Sequence, residues 1–303
     1  MFHIFIIGYL FGASLFFFDS PIVTAKTSDA RAQQNAQAET GSVTIPIPRT
    51  PSPKPSAGNK SPVKNKPLKK TEYVVKKKEN GDWYILIKRT NGTRIKTSRV
   101  KGRFVKTKQG IYYVNQKGIV LTGWRKINNQ YYYFDRQTGK RSEEKKVDGI
   151  ALGRDGRAKE TVYNIRKINM MMKARAVVSQ ITRGSDSKKQ KLKKCFRWIF
   201  KFPYKRYRIL RKVKNHAGWE LDFAEDIFIR RKGCCVSEAS AFAFLAKECG
   251  YKNIYLCDDT GHGWTEINGR VFDPLFAEAR SFAKNYDVPY GVYRLHAIGR
   301  TKI

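Results

Sequence analysis

Between residues 73 and 160 the chain consists of short aromatic or apolar bursts, each closed by Gly, Asn or Asp. That texture admits few folds. The bursts are GDWYILI (81–87), GIYYVNQKG (110–118), GWRKINNQYYYFDRQTGKR (123–141) and VDGIALGRDGR (147–157). Tyr113 and Tyr133 lie 20 residues apart, and Gly118 and Gly139 lie 21 apart. A repeat of this length with glycines at its turns means an array of β-hairpins. Each hairpin is too small to bury its apolar face alone and must stack on its neighbours.

What precedes the array is of a different kind. Residues 4–18 (IFIIGYLFGASLFFF) form an apolar run shorter than the roughly 20 residues a bilayer span needs, and the small residues Val23-Thr24-Ala25 suit a cleavage site. Residues 1–25 are therefore expected to be a secretory signal peptide. The opening carries His3 but no Lys or Arg, so an uncleaved anchor is the alternative. Both readings export the chain. Residues 26–72 are rich in Pro, Lys, Ala, Gln and Ser and hold too little apolar surface to fold, which predicts a disordered basic linker.

The balance of 61 Lys and Arg against 25 Asp and Glu, a net charge of +36, bears on partners and not on fold. For an exported chain it points to anionic cell-wall polymers, choline-bearing ones among them, and away from nucleic acid. The five cysteines, Cys195, Cys234, Cys235, Cys249 and Cys257, are odd in number and cluster late in the chain, unlike a disulfide framework. Adjacent Cys234 and Cys235 cannot form a zinc knuckle. No metal or organic cofactor is expected.

Past Thr161 the pattern becomes helical. Residues 162–181 show a period near 3.6, and Leu192, Cys195, Phe196, Ile199 and Phe200 mark one stripe of a second helix. Residues 188–214 hold 13 basic and no acidic side chains, which suits either a solvated face or a polyanion patch. A third, largely buried helix is predicted from the cysteine pair to Glu248, ended by Gly250. A cysteine in its first turn meets unpaired amides and the positive end of the helix dipole, both of which favour a thiolate.

Downstream, Asn268-Gly269 is a strong type I′ hairpin signal. A two-residue loop there pairs Ile267 with Arg270, Glu266 with Val271 and Trp264 with Asp273. His262, Trp264 and Glu266 then share a face with Asp273, which stands diagonal to His262 and within side-chain reach.

Two family resemblances rest on these residues. GWRKINNQYYYF followed by DRQTGK resembles the cell-wall or choline-binding repeat of Gram-positive surface proteins. That resemblance implies non-covalent wall attachment, with Trp83, Trp124, Tyr131, Tyr132 and Tyr133 as ligand-binding candidates that enclose a quaternary ammonium by cation–π attraction. The same rings could instead only pack the hairpins together.

Gly233-Cys234-Cys235 with Ala239, then His262-Gly263-Trp264, then Asp273-Pro274, resembles the transglutaminase-like superfamily. The implied fold class is α+β: a papain/transglutaminase-like C-terminal domain over residues 161–303, preceded by the hairpin array over 73–160. The implied triad is Cys235, His262 and Asp273, with Cys234 as the alternative thiol and Trp219 or Tyr204 as oxyanion candidates beside the Cys235 amide. The expected activity is thiol acyl transfer on a protein or peptide substrate at the cell surface, as a cysteine protease or a cross-linking enzyme. The alternative is a non-catalytic wall-binding or adhesive surface protein that keeps the fold.

Overall fold

The computed structural model describes residues 69–79 and 82–303; the expected signal peptide and all of the expected linker up to residue 68 lie outside the described residues. Strand β1 (Lys69–Lys77) begins inside the stretch read as linker. Pairing explains the difference. Its whole length runs antiparallel to β2 (Trp83–Asn91), from Lys69 opposite Asn91 to Lys77 opposite Trp83, so a continuous ladder holds a segment poor in apolar side chains. Tyr73 and Val75 lean on the core that Ile85 and Ile87 begin.

Strand β3 (Arg94–Arg99) completes this first sheet. Three hairpins follow: β4 (Arg103–Thr107) with β5 (Gly110–Val114), β6 (Gly123–Ile127) with β7 (Gln130–Phe134), and the short β8 (Lys146–Val147) with β9 (Ile150–Ala151). Backbone bonds stitch each unit to an earlier one. Val120 N donates to Trp83 O (2.8 Å), Arg141 N to Ile111 O (2.6 Å) and Ala158 N to Tyr131 O (2.9 Å). Between the units lie small cores, Ile85, Val105, Tyr112 and Val114 in one and Ile127, Tyr132 and Phe134 in the next. This is the stacking that a 20-residue period demands.

Helix α1 (Val162–Ile181) starts where Thr161 accepts from Asn164 N, and α2 (Lys188–Ile199) where Ser187 and Gln190 form a capping box. Short α3 (Leu210–Val213) and α4 (Trp219–Glu225) follow, and α4 runs into a π-turn over Asp226–Arg230. Helix α5 (Cys235–Glu248) is buried on almost every side and ends at Gly250, whose φ of +87° suits glycine. It lies against an antiparallel sheet ordered β13-β12-β11-β10-β14, formed by β10 (Ile254–Asp258), β11 (Gly263–Ile267), β12 (Arg270–Phe272), β13 (Tyr286–Pro289) and β14 (Gly299–Lys302). Helix α6 (Pro274–Ala279) leaves the end of β12.

Period 2 sorts the two faces of this sheet. Ile254, Leu256, Ile267 and Phe272 join the α5 core, while Cys257, Trp264, Val271 and Val288 form a second core with Tyr293. The main core also runs across residue 160: Trp124, Tyr131, Ile150 and Leu152 belong to the same cluster as Ile168, Met171 and Phe242. Arg136 and Arg175 both reach Glu248, at 2.6 and 3.1 Å. The last hairpins therefore brace the C-terminal end of α5, the end remote from the cysteines. Among the described residues no helix is long and apolar enough to cross a membrane.

Candidate thiol–imidazole site

The chain turns into α5 at Gly233. A Cβ there would stand 2.5 Å from Ser237 Cβ and 2.7 Å from Ile227 Cδ1, so a side chain does not fit. Cys234 is the N-cap and Cys235 the first helical residue. The first helical bond runs from Glu238 N to Cys234 O (2.9 Å), which leaves the amides of Cys235, Val236 and Ser237 facing the thiols. Strand β11 approaches this turn closely: a Cβ on Gly263 would sit 2.9 Å from Val236 Cγ2 and 3.3 Å from Val236 Cα.

That approach tells the two cysteines apart. The Gly263 amide, next in sequence to His262, hydrogen-bonds Cys235 and favours its thiolate. Cys234 turns the other way, with Sγ 3.6 Å from Ser237 Oγ. Ser237 donates to Asp226 Oδ2 (2.8 Å), and Arg208 clamps the same buried carboxylate with both terminal nitrogens, at 2.6 and 3.0 Å. The hydrogen bond from Cys235 is the largest influence on Cys234. Burial opposes it, and the Ser237 and Val236 amides and the Ser237 hydroxyl add to it, so the Cys234 thiol is held below the ordinary thiol range. Cys235 is pushed up, first because it donates that bond and then by burial. The pair thus releases its first proton easily and resists losing a second. One negative charge sits at the helix N-terminus, shared across a vicinal hydrogen bond.

Three residues lie against the imidazole and a fourth sets its backbone. Asp259 Oδ1 accepts from the amides of Gly261 (2.8 Å) and His262 (2.7 Å), an Asx turn that sets the backbone just before β11. His262 Nε2 lies 2.8 Å from Asp273 Oδ2, with His262 9% and Asp273 0% exposed. The Phe276 ring stacks on the imidazole at 4.2 Å and 11°. The Trp264 ring lies 6.2 Å away on another side. With Nε2 engaged, Nδ1 is the nitrogen left for a thiol or a substrate.

The hairpin delivers this contact in a slightly different way from the sequence expectation. Asn268 (φ 52°) and Gly269 (φ 78°) make the turn, and Ile267 pairs with Arg270 and Glu266 with Val271. The expected Trp264–Asp273 pair does not form, because the ladder stops at Thr265 opposite Phe272. Asp273 caps α6 instead, and its Oδ1 accepts from Phe276 N (3.1 Å). His262 and Asp273 meet one residue beyond the ends of their strands. The second hydrogen bond to Asp273 Oδ2 comes from the Tyr293 hydroxyl at 2.7 Å. Burial and the Asp273 charge push the Tyr293 phenol up, so it stays a donor.

Tyr293 and Phe276 had no signal in the sequence, since neither lies in a motif. The turn at Asp259-Thr260-Gly261 has the sequence of an Asx turn, a local signal for how His262 is set. A further buried group, Glu238, lies one turn into α5, 2% exposed, and its Oε2 has no hydrogen-bond partner among the described residues. Burial, followed by the charges of Glu278, Asp273 and Cys234, raises its carboxyl to about 9, so it is neutral near pH 7.

The remaining sequence candidates are spread more widely. Tyr204 is half exposed and runs beside Gly233 as a one-residue parallel bridge; its hydroxyl accepts from Arg206 (3.1 Å), a guanidinium close enough to feel both thiols. Trp219 is buried in the first turn of α4 with its ring 6.0 Å from Phe223. In the array, Trp124 (2% exposed), Tyr131 (5%) and Tyr132 (7%) are packing residues, which leaves them no open face for an ammonium group. The Trp124 indole donates to Asp148 Oδ2 (2.8 Å), and its ring meets Tyr133 edge-on at 5.3 Å. Trp83 is half-buried beneath the Lys77 ammonium, 5.5 Å from its ring centre. Cys195 is buried on the α2 stripe as expected from its spacing, with Sγ 3.6 Å from that of Cys249. Within the basic stretch 188–214, Arg208 and Lys214 are committed to the buried Asp226 and Asp258, so it is not wholly a solvated face. Among the described residues no cluster of three or more His, Cys, Asp or Glu could hold a metal ion.

No protein-family model matches this chain, and no curated protein matches it. Several solved structures show a partial likeness. The choline-binding domain of Spr1274 from Streptococcus pneumoniae is 25% identical over 28% of this chain and 92% of that one, with a TM-score of 0.23. The multimodular pneumococcal cell-wall endolysin from phage Cp-1, complexed with choline, is 25% identical over 33% of this chain and 27% of that one, with a TM-score of 0.24. The modular autolysin LytC from S. pneumoniae is 18% identical over 22% of this chain, with a TM-score of 0.19; the match spans 16% of LytC. At such scores the likeness sets neither the fold nor the function of this chain.

Proposed function

We propose that the protein is a surface-retained thiol enzyme that acts on amide or peptide bonds through Cys235, His262 and Asp273, with the hairpin array serving wall attachment. The observation that carries the reading is the buried 2.8 Å contact of Asp273 with His262 Nε2, set against a cysteine pair at a helix N-terminus. Nothing structural requires a carboxylate, itself held by a hydroxyl, and two rings to converge on one imidazole, whereas a general base needs its orientation and tautomer held.

In this reading Cys235 is the attacking thiol because its sulfur is on the Gly263 side, next to His262, while Cys234 turns to Ser237. His262 takes the Cys235 proton, the sulfur so freed adds to the carbonyl carbon, and the developing oxyanion is met by the Cys235 amide in the first α5 turn. The C–N bond breaks as His262 passes a proton to the leaving amine, and a thioester remains. Water or a second amine then releases the acyl group, with His262 as base. Asp273, fixed by Tyr293 and the Phe276 amide, holds the imidazole throughout. Neutral Glu238 beneath the site adds no negative charge to oppose the thiolate.

Incubating the chain with cell-wall peptides and candidate proteins tests this by mass spectrometry. Gain of water marks hydrolysis, and ammonia release with a new isopeptide bond marks cross-linking. Either product must vanish with Cys235→Ala. A product that survives Cys235→Ala and disappears with Cys234→Ala would move the nucleophile by one residue.

A second reading, a non-catalytic wall-binding or adhesive protein, is favoured by the stacked array and the charge of +36. Since Trp124, Tyr131 and Tyr132 are closed by packing, attachment in either reading falls to the exposed basic surface. Salt should then elute the protein from walls at concentrations where choline does not.

A further inference from the structure

Beyond the imidazole lies a cleft of about 540 Å3 on the far side of Phe276. Its walls include Arg280, Lys284 and Arg294, with Tyr293 at its inner end and Val292, 72% exposed, at its lip. Among the described residues no acidic side chain lines it. The Phe276 ring is the partition: one side stacks on His262 at 4.2 Å, and the Arg280 and Arg294 guanidiniums lie 4.3 and 5.9 Å from its centre. Tyr293 ties the same cleft to the triad through its bond to Asp273. The floor is set by buried Asn285, which donates to Phe276 O and Ser281 O and whose carbonyl accepts from Asp273 N.

We infer that this cleft is a substrate subsite for carboxylate side chains, so that the preferred acyl donor is an acidic peptide segment whose Asp or Glu residues flank the scissile amide. The inference rests on the amide-bond reading above. Arg280, Lys284 and Arg294 are exposed, so water hydrates them in the free protein; three cations converging on one cleft favour an anion there, and guanidiniums suit the two oxygens of a carboxylate. Position argues for a peptide over a phosphate polymer. The cleft is one aromatic ring away from the imidazole, a distance that neighbouring residues of a bound peptide span. Arg206, close enough to feel both thiols, adds positive charge near the site and extends the same preference.

The test uses the full chain carrying Cys235→Ala and two matched peptides, Ac-Ala-Gln-Glu-Glu-Ala-NH2 and its twin with both Glu replaced by Gln, titrated by calorimetry. Two partly exposed ion pairs should make the acidic peptide bind about tenfold more tightly. Lys284→Gln with Arg294→Gln should shrink that gap to about twofold, while Lys189→Gln with Lys193→Gln, on exposed positions of α2, should preserve it. Equal loss in both double variants would assign the preference to overall charge and overturn the subsite. So would polyglycerol phosphate that competes with the peptide equally well before and after the cleft substitutions. The active chain supplies a separate kinetic readout, the ratio of kcat/KM for the two peptides. Turnover of neither peptide alongside an intact binding gap would defeat the enzymatic reading and leave the anion cleft standing.

Discussion

Replacing Glu238 by Gln should stabilise this protein, and by more as the pH rises. In the folded chain the carboxyl is 2% exposed, has an unpartnered oxygen and is raised from 4.5 to about 9, by burial first and then by Glu278, Asp273 and Cys234. A folded-state value above the unfolded one means that the native state keeps a proton the unfolded chain releases. Stability from this group is fully present below about pH 4.5 and is lost progressively up to about pH 9. At about 1.4 kcal/mol per unit, the loss by pH 7 is about 3 kcal/mol, and between pH 5 and 8 about 4 kcal/mol. Glutamine keeps the shape of the neutral acid and has no proton to lose. Urea unfolding of both chains at pH 5, 6, 7 and 8 reads the difference directly, and the midpoints should separate by more than about 1 M over that range. A gap that stays constant with pH, or a Gln variant that is less stable at every pH, would refute the claim that Glu238 is held neutral.

Tyr293→Phe removes one hydrogen bond to Asp273 and should cost about 1 kcal/mol of stability while lowering kcat three- to tenfold and leaving KM little changed, as steady-state kinetics will show. Gly263→Ala forces a methyl against Val236 and should destabilise the fold by about 1–3 kcal/mol in denaturant titrations, with slower alkylation of Cys235. Trp124→Ala should cost about 3–5 kcal/mol, and choline added to a Trp83→Phe chain should leave its tryptophan fluorescence unchanged, because the Trp124 ring is closed.

Much of the site was legible because it rests on local rules. Asn268-Gly269 determines a register, and a register determines which side chains meet, so the approach of His262 and Asp273 followed from counting. Counting erred only at the last pair, where the need of α6 for an N-cap drew Asp273 out of the ladder. The start of α5 and its closing glycine were likewise local. Tyr293 was out of reach, since it comes from a loop 20 residues beyond Asp273 and is placed by packing against Trp264. The fate of the array's rings also depended on tertiary context. Alone, a hairpin bearing Trp124 and Tyr131 presents open aromatic faces; docking of α1 closes them, and no periodicity in residues 123–134 reports that α1 will dock there.

The central claim, that Cys235 is the thiol paired with the His262–Asp273 unit, is tested most directly by site-resolved alkylation. The intact chain is exposed to iodoacetamide from pH 5 to 9, and each cysteine is quantified by mass spectrometry. The account predicts that Cys235 is labelled fastest because His262 takes its proton, that His262→Ala slows it, and that Cys195, buried and with its thiol pushed up by Cys249 and burial, stays unlabelled. Labelling of Cys235 no faster than Cys195 or Cys257, or a rate indifferent to His262→Ala, would contradict it.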